Sequence, residues 1–180
     1  MDKAALEGMI KNVVSFNYCF LEGSKIAKTN EERYFLYQLI KARSFSVKIE
    51  TQLLYRATDE NRWTAGDFHA YCNGRGPTIV LIKVKDTNRR CGGFTMATWS
   101  SEILTKADPH AFLFSLDLMQ HYQVRNPANA IRTDGKYGPM FGTNHNLSVI
   151  YEPFNVGGCY SRPECPDYYT PLDGSNSVIT

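Results

Sequence analysis

Thr78-Ile79-Val80-Leu81-Ile82-Lys83-Val84, a polar tip at Asp86-Thr87-Asn88 and then Gly92-Gly93-Phe94-Thr95-Met96-Ala97 read as two strands joined by a reversal, a β-hairpin. The first run is almost wholly apolar, which fits a central strand covered on both faces, with Val80, Ile82 and Val84 sharing one of them. The paired glycines of the second run either bulge the strand or leave room for a ring packed across it.

Working outward, residues 111–117 repeat the period of two, with Phe112, Phe114 and Leu116 on one side, and Ile131 lies in a further short strand. The stretch Tyr137-Gly138-Pro139-Met140-Phe141-Gly142-Thr143-Asn144-His145-Asn146-Leu147 bends sharply at its glycines and proline. It then feeds a strand lined by Leu147, Val149 and Tyr151. Upstream, Thr51-Gln52-Leu53-Leu54-Tyr55-Arg56-Ala57 also reads as a strand, and residues 18–26 fit a short one. Two helix starts carry capping boxes, Thr29 with Glu32 and Thr64 with Asp67. The second helix ends near Cys72 and the Asn73-Gly74-Arg75-Gly76-Pro77 turn. Leu6, Met9, Ile10, Val13, Val14 and Phe16 place one oily stripe on a helix near the start. From residue 155 onward the chain is rich in Gly, Pro and Ser and reads mostly as loop. Several strands on short turns with few helices predict an α+β fold: a two-sheet antiparallel β-sandwich flanked by short helices, with an N-terminal helical segment.

At 180 residues the chain is read as one domain, able to bury a full core without disulfide or metal staples. A formal charge of +2 gives no prior for nucleic acid or acidic lipid as partner, while eleven Tyr and ten Phe promise a well-filled core. The apolar run at residues 13–21 is broken by Ser15 and Asn17 and is too short to span a bilayer, so no direct membrane insertion is expected. Five cysteines without repeated spacing, and no signal peptide, suggest reduced thiols and a cytoplasmic location.

His69 and Cys72 stand three apart on a predicted helix, where a Cys-His pair would lower the thiol pKa and make a nucleophile. The plainer reading packs Cys72 at the helix end and turns His69 to solvent. Cys159 and Cys165, with His145 upstream, match no zinc-ligand spacing, so no metal and no cofactor is expected; redox pairing of the two thiols is the alternative. Asn73-Gly74-Arg75-Gly76-Pro77 lacks the Gly-Lys-Ser/Thr ending of a phosphate loop and leads into a strand, so it reads as a turn. Lys83, Lys85, Arg89 and Arg90 crowd the hairpin tip, as lysines that guard sheet edges do. Trp99, Tyr137 and Phe141 read as core; exposed together they would form a protein-binding patch or, for Trp99 and Tyr137, a platform for a carbohydrate or small ligand.

Leu53-Leu54-Tyr55-Arg56-Ala57, Asp67-Phe68-His69 with Cys72, Gly76-Pro77-Thr78, Gly92-Gly93-Phe94, Trp99-Ser100-Ser101, residues 111–116, Tyr137-Gly138-Pro139-Met140-Phe141-Gly142 and His145-Asn146-Leu147 together resemble the TLDc domain over residues 18–174. The resemblance implies a two-sheet sandwich over residues 18–180, preceded by a helical extension over 1–17. It marks Gly92, Gly93, Trp99, Tyr137, Gly138, Pro139, Phe141, Gly142 and His145 as motif residues and candidate contacts. It further implies a eukaryotic protein of the oxidation-resistance and nuclear-receptor-coactivator kind. Members of that family protect cells against oxidative stress, several bind the vacuolar proton ATPase and control its assembly, and no enzymatic mechanism is established for the fold. The chain departs from the family at Asn144, Asn146 and Cys91. Its ending, Ser175-Asn176-Ser177-Val178-Ile179-Thr180, implies a shortened or missing closing strand, and so an open sheet edge prone to self-association. A thiol-based redox protein or enzyme using Cys72 or the Cys159/Cys165 pair, and a ligand-binding sandwich, are the alternatives.

Overall fold

In the computed structural model, which describes residues 19–44, 48–57, 64–84, 87–143 and 147–150 together with the backbone of 158–160 and 169–171, the hairpin forms where the sequence places it. Strand β1 (Thr78–Lys83) pairs antiparallel with β2 (Arg90–Thr95), Thr78 opposite Thr95 and Lys83 opposite Arg90. Strand β2 continues the sheet to β4 (Phe112–Ser115), β5 (Gln120–Val124) and β10 (Tyr169–Pro171), every pairing antiparallel. A second sheet runs β3 (Leu104–Lys106), β6 (Ile131–Thr133), β7 (Met140–Phe141), β8 (Leu147–Ile150) and β9 (Gly158–Tyr160), also antiparallel throughout.

Between the sheets lies one apolar cluster. Cys91, Leu113 and Tyr122 enter it from the first sheet and Ile131, Phe141 and Leu147 from the second, with Val80 and Ile82 packed at its margin. The glycine pair provides room for rings. A Cβ on Gly93 would sit 2.6 Å from Phe141 Cζ, and one on Gly92 would meet Phe114 Cζ at 2.5 Å and the Val80 carbonyl oxygen at 2.0 Å. Phe94, Phe112 and Phe114, which point to the other face of the first sheet, are buried as well, with Phe94 stacked on Phe112.

Strand β1 and the stretch at residues 51–56 depart from expectation. The apolar run of β1 lies at the edge of its sheet and β4 occupies the centre. Apolar side chains leave a strand on both faces in either position, so composition does not reveal how many neighbours it has; Ile79 to Ile82 are only half-buried, whereas all of β4 is buried. Residues 51–56 form no strand. Leu54 and Tyr55, consecutive in sequence, both pack against the core, which an alternating strand does not allow.

The chain divides into two compact units, Met1–Gln52 and Leu53–Thr180. The first contains helix α1 (Asn30–Lys41), whose capping box forms as its sequence predicts: Thr29 Oγ1 accepts from Glu32 N at 3.2 Å and Glu32 Oε2 from Thr29 N at 3.1 Å. Leu36, Tyr37 and Ile40 are its buried side, and the Phe20 ring meets Tyr37 edge-on with centroids 5.6 Å apart. Residues 19–26 turn rather than extend, because Leu21 and Gly23 take left-handed φ values of 54° and 74°. The second unit holds both sheets, helix α2 (Ala65–Cys72) and a 3-10 turn over Pro127–Asn129. The helical extension at 1–17, the chain end beyond Pro171, Lys85, His145 with Asn144 and Asn146, and Cys165 lie outside the described residues.

Candidate interaction site

Helix α2 starts at Thr64, whose Oγ1 accepts from Asp67 N at 3.1 Å while Asp67 Oδ2 accepts from Thr64 N at the same distance. That start fixes which residues face inward: Phe68, His69 and Cys72 are all buried. Phe68 meets Trp99 edge-on with centroids 5.6 Å apart, and Trp99 meets Phe141 edge-on at 5.8 Å. The Phe141 ring in turn lies over Gly93. Trp99 is only 2% exposed, and its indole N–H donates to Thr78 Oγ1 at 2.9 Å. Motif strings scattered over the sequence therefore converge on one ladder of rings running from helix α2 to both sheets.

A polar lattice borders the ladder. His69 Nε2–H donates to the carbonyls of Asp134 (3.0 Å) and Tyr137 (2.9 Å), and Nδ1 pairs with the Asn73 side-chain amide at 2.7 Å. That amide also reaches the Ser101 hydroxyl at 2.8 Å. The backbone of Gly74 donates to the Trp99 carbonyl (3.0 Å) and that of Gly135 to the Ser101 carbonyl (2.9 Å). Thr133 Oγ1 donates to the Glu102 carbonyl at 2.7 Å. In the aromatic turn, Gly138 N donates to the Val149 carbonyl and Val149 N to the Pro139 carbonyl, at 2.9 and 3.1 Å. Gly142, at φ 73°, donates to the Ala130 carbonyl at 2.9 Å. His69 thus ties the helix to the aromatic turn and does not face solvent as the sequence suggests. Its partners are carbonyls, which every residue carries, so no residue type announces them.

The chemistry of Cys72 follows from its place. Burial pushes its thiol up to about 11, away from the thiolate that a nucleophile needs. His69 directs both ring nitrogens to other partners. The Cys-His nucleophile is therefore not assembled. Trp99, buried, offers no ligand platform, and Tyr137 is half-buried. Cys159 is described only as the backbone residue of β9 opposite Val149. Among the described residues, no group of three or more His, Cys, Asp or Glu side chains is placed to hold a metal ion. No helix among them is long and apolar enough to cross a membrane.

Side chains suited to touching a partner lie around the ladder rather than in it. Tyr71, on the outer side of helix α2, stacks on Tyr55 with centroids 6.3 Å apart, and Tyr55 meets Phe68 edge-on at 6.0 Å. Leu53 is 63% exposed, and Ile103 is 65% exposed beside exposed Leu104. None of these four is marked by the motifs as a contact: Leu53 lies within a motif string, Tyr71 on a helix and Leu104 in a strand, and the sequence pattern does not distinguish an exposed apolar residue there from a packed one.

A sandwich of two antiparallel sheets with such a ladder at its helix junction defines a class of domain rather than a reaction. The TLDc domain profile matches residues 20–179, and the chain belongs to the TLDc-domain family. It is 30% identical over 116 residues to the MTOR-associated protein MEAK7 of Danio rerio, an alignment that covers 56% of this chain and 24% of that protein. The chain thus spans about a quarter of the length of that relative. No solved structure matches it.

Proposed function

We propose that this chain is a non-catalytic protein-interaction module, acting in the cytoplasm in protection against oxidative stress and in regulation of the vacuolar proton ATPase. Membership of the TLDc family supports the module reading, and the relative's name describes a protein associated with MTOR. The observation that carries it is the distribution of side chains. The motif rings and His69 are engaged within the domain, while Leu53, Tyr71, Ile103 and Leu104 present apolar surface outside it. Exposed tyrosine and aliphatic side chains held by packed neighbours are what protein interfaces use as anchors.

The test is a pull-down from eukaryotic lysate with the full chain, scored for subunits of the proton pump. Recovery of those subunits is the expected result, reduced for Tyr71→Ala. Recovery of none under conditions that keep the pump assembled counts against the pump as partner.

A further inference from the structure

The outer edge of β1 is the longest sheet edge among the described strands. It runs six residues, where the other terminal strands, β3, β9 and β10, run three each. Those short edges are protected by the usual means, brevity in all three, with Lys106 in β3 and Pro171 in β10. Strand β1 carries its one charge, Lys83, at its last residue and has neither charge nor proline from Ile79 to Ile82, so the lysine read as guarding this edge stands only at its end.

The direction of its backbone groups is fixed. Val84 N donates to the Arg89 carbonyl at 2.9 Å, and these two residues continue the register in which Lys83 faces Arg90 and Ile82 faces Cys91. In an antiparallel pair the bonding direction alternates along each strand, so Thr78, Val80 and Ile82 bond to β2. Leu116 N donates to the Arg90 carbonyl at 2.9 Å, which turns Arg90, Gly92 and Phe94 toward β4 and leaves Cys91, Gly93 and Thr95 for β1, the same parity. The N–H and C=O groups of Ile79, Leu81 and Lys83 therefore point away from the sheet. No described strand pairs with them.

Both ends of this edge are cationic. Arg75 is exposed just before it and Lys83 is exposed at its end. We propose that β1 is a strand-addition site for an extended segment of a partner protein, apolar in its middle and acidic at both ends; this deepens the interaction-module reading and rests on it. The three outward backbone pairs hold the segment, the half-buried side chains of Ile79 to Ile82 flank its apolar middle, and the cations bracket it in either direction. A second copy of this chain fits less well. Two β1 strands paired antiparallel bring the Lys83 end of one against the Arg75 end of the other, so like charges meet at both ends.

The probe is a synthetic peptide of alternating valine and threonine bracketed by glutamates, with a lysine-bracketed version as comparison. Amide exchange of the full chain is followed residue by residue. The glutamate peptide is expected to slow exchange at Ile79, Leu81 and Lys83 by about tenfold or more, and the lysine peptide to leave it unchanged. Leu81→Pro removes an outward donor that β2 does not use and abolishes the effect. Lys83→Glu, which leaves every backbone donor in place, weakens binding of the glutamate peptide and strengthens that of the lysine peptide. Equal protection by both peptides, protection at other strands, or protection that grows with protein concentration without peptide overturns the proposal. A pump subunit captured equally by the native chain and Leu81→Pro also overturns it and leaves the module standing. Protection by the glutamate peptide with no partner captured upholds the edge and removes the proposed pump.

Discussion

The ring ladder around Trp99 and the outer edge of β1 are neighbours in sequence and opposite in character. Thr78 belongs to both, since it opens β1 and its hydroxyl accepts from the Trp99 indole. On the ladder side, rings meet rings and His69 places each nitrogen against a partner. On the edge side, the backbone of Ile79, Leu81 and Lys83 turns outward. The difference teaches where recognition is written. The motif rings Phe68, Trp99 and Phe141, together with His69, are engaged in holding the domain together, whereas an edge that receives another chain does so through peptide groups that any sequence supplies. A motif is thus a poor guide to the contact surface of such a domain.

The largest effect that would break the comparison is at Trp99. Trp99→Ala removes two edge-on ring contacts, a hydrogen bond and the filling of a site only 2% exposed. It should cost about 3–5 kcal/mol in urea denaturation, a large part of the stability of a single domain. A loss under about 1 kcal/mol would mean that the ladder is not the structural centre of the domain.

That architecture was legible to different depths in the sequence. Both capping boxes were legible because Thr and the acid three residues on satisfy each other locally, with no help from the fold. The hairpin and its ring-accommodating glycines were legible for the same reason, a short polar tip and two missing side chains. The edge position of β1 was not, because neighbours across a sheet are set by chain segments far away. His69 was misread as a solvent residue because its carbonyl partners lie 65 and 68 residues further on. The stretch at 51–56 was misread because Leu54 and Tyr55 look like strand formers and instead wedge side by side into the core. Motif residues were thus recoverable as a family signature, and Tyr71, Ile103 and the outward-facing backbone of β1 were not.

Alkaline titration tests how dry the ladder is. The Cys72 thiol stands at about 11 in the folded chain against 9.0 for an ordinary thiol, raised by burial. Between those values the unfolded chain has released the proton and the folded chain has kept it, so the native state binds more protons and stability falls as pH rises. The contribution is fully present below the ordinary value and is lost as pH climbs through the folded one. Urea denaturation across that window should show the decline in the native chain and a flatter profile in Cys72→Ala. At neutral pH, alkylation should label exposed Cys19 well before buried Cys72. Early labelling of Cys72 would reopen the nucleophile reading.

His69→Ala comes next, at about 1–3 kcal/mol, because it strands the Asp134 and Tyr137 carbonyls without their donor. Loss of the donor should also speed amide exchange in the aromatic turn, at Tyr137 and Gly138, while leaving the amides of β1 unchanged. Faster exchange in both places would join the ladder and the edge into one cooperative unit.

The smallest effect is expected where the hairpin meets solvent. Asp117 accepts from the Arg90 backbone N–H at 2.6 Å and from its guanidinium Nε and Nη2, both at 2.8 Å. The side chains are 24% and 36% exposed, so water and salt screen the charge pair, and Arg90→Ala should cost only about 0.2–1 kcal/mol, less at high ionic strength. Asp117→Ala should cost more, since it also takes the acceptor from the backbone N–H, and that difference should persist in salt because it is a hydrogen bond and not a charge pair. The two variants together separate charge from geometry at the base of the tip. If instead Arg90→Ala proved as costly as His69→Ala, the cationic end of β1 would be a rigid extension of the ladder, and its charge would be committed to the fold before any partner arrived.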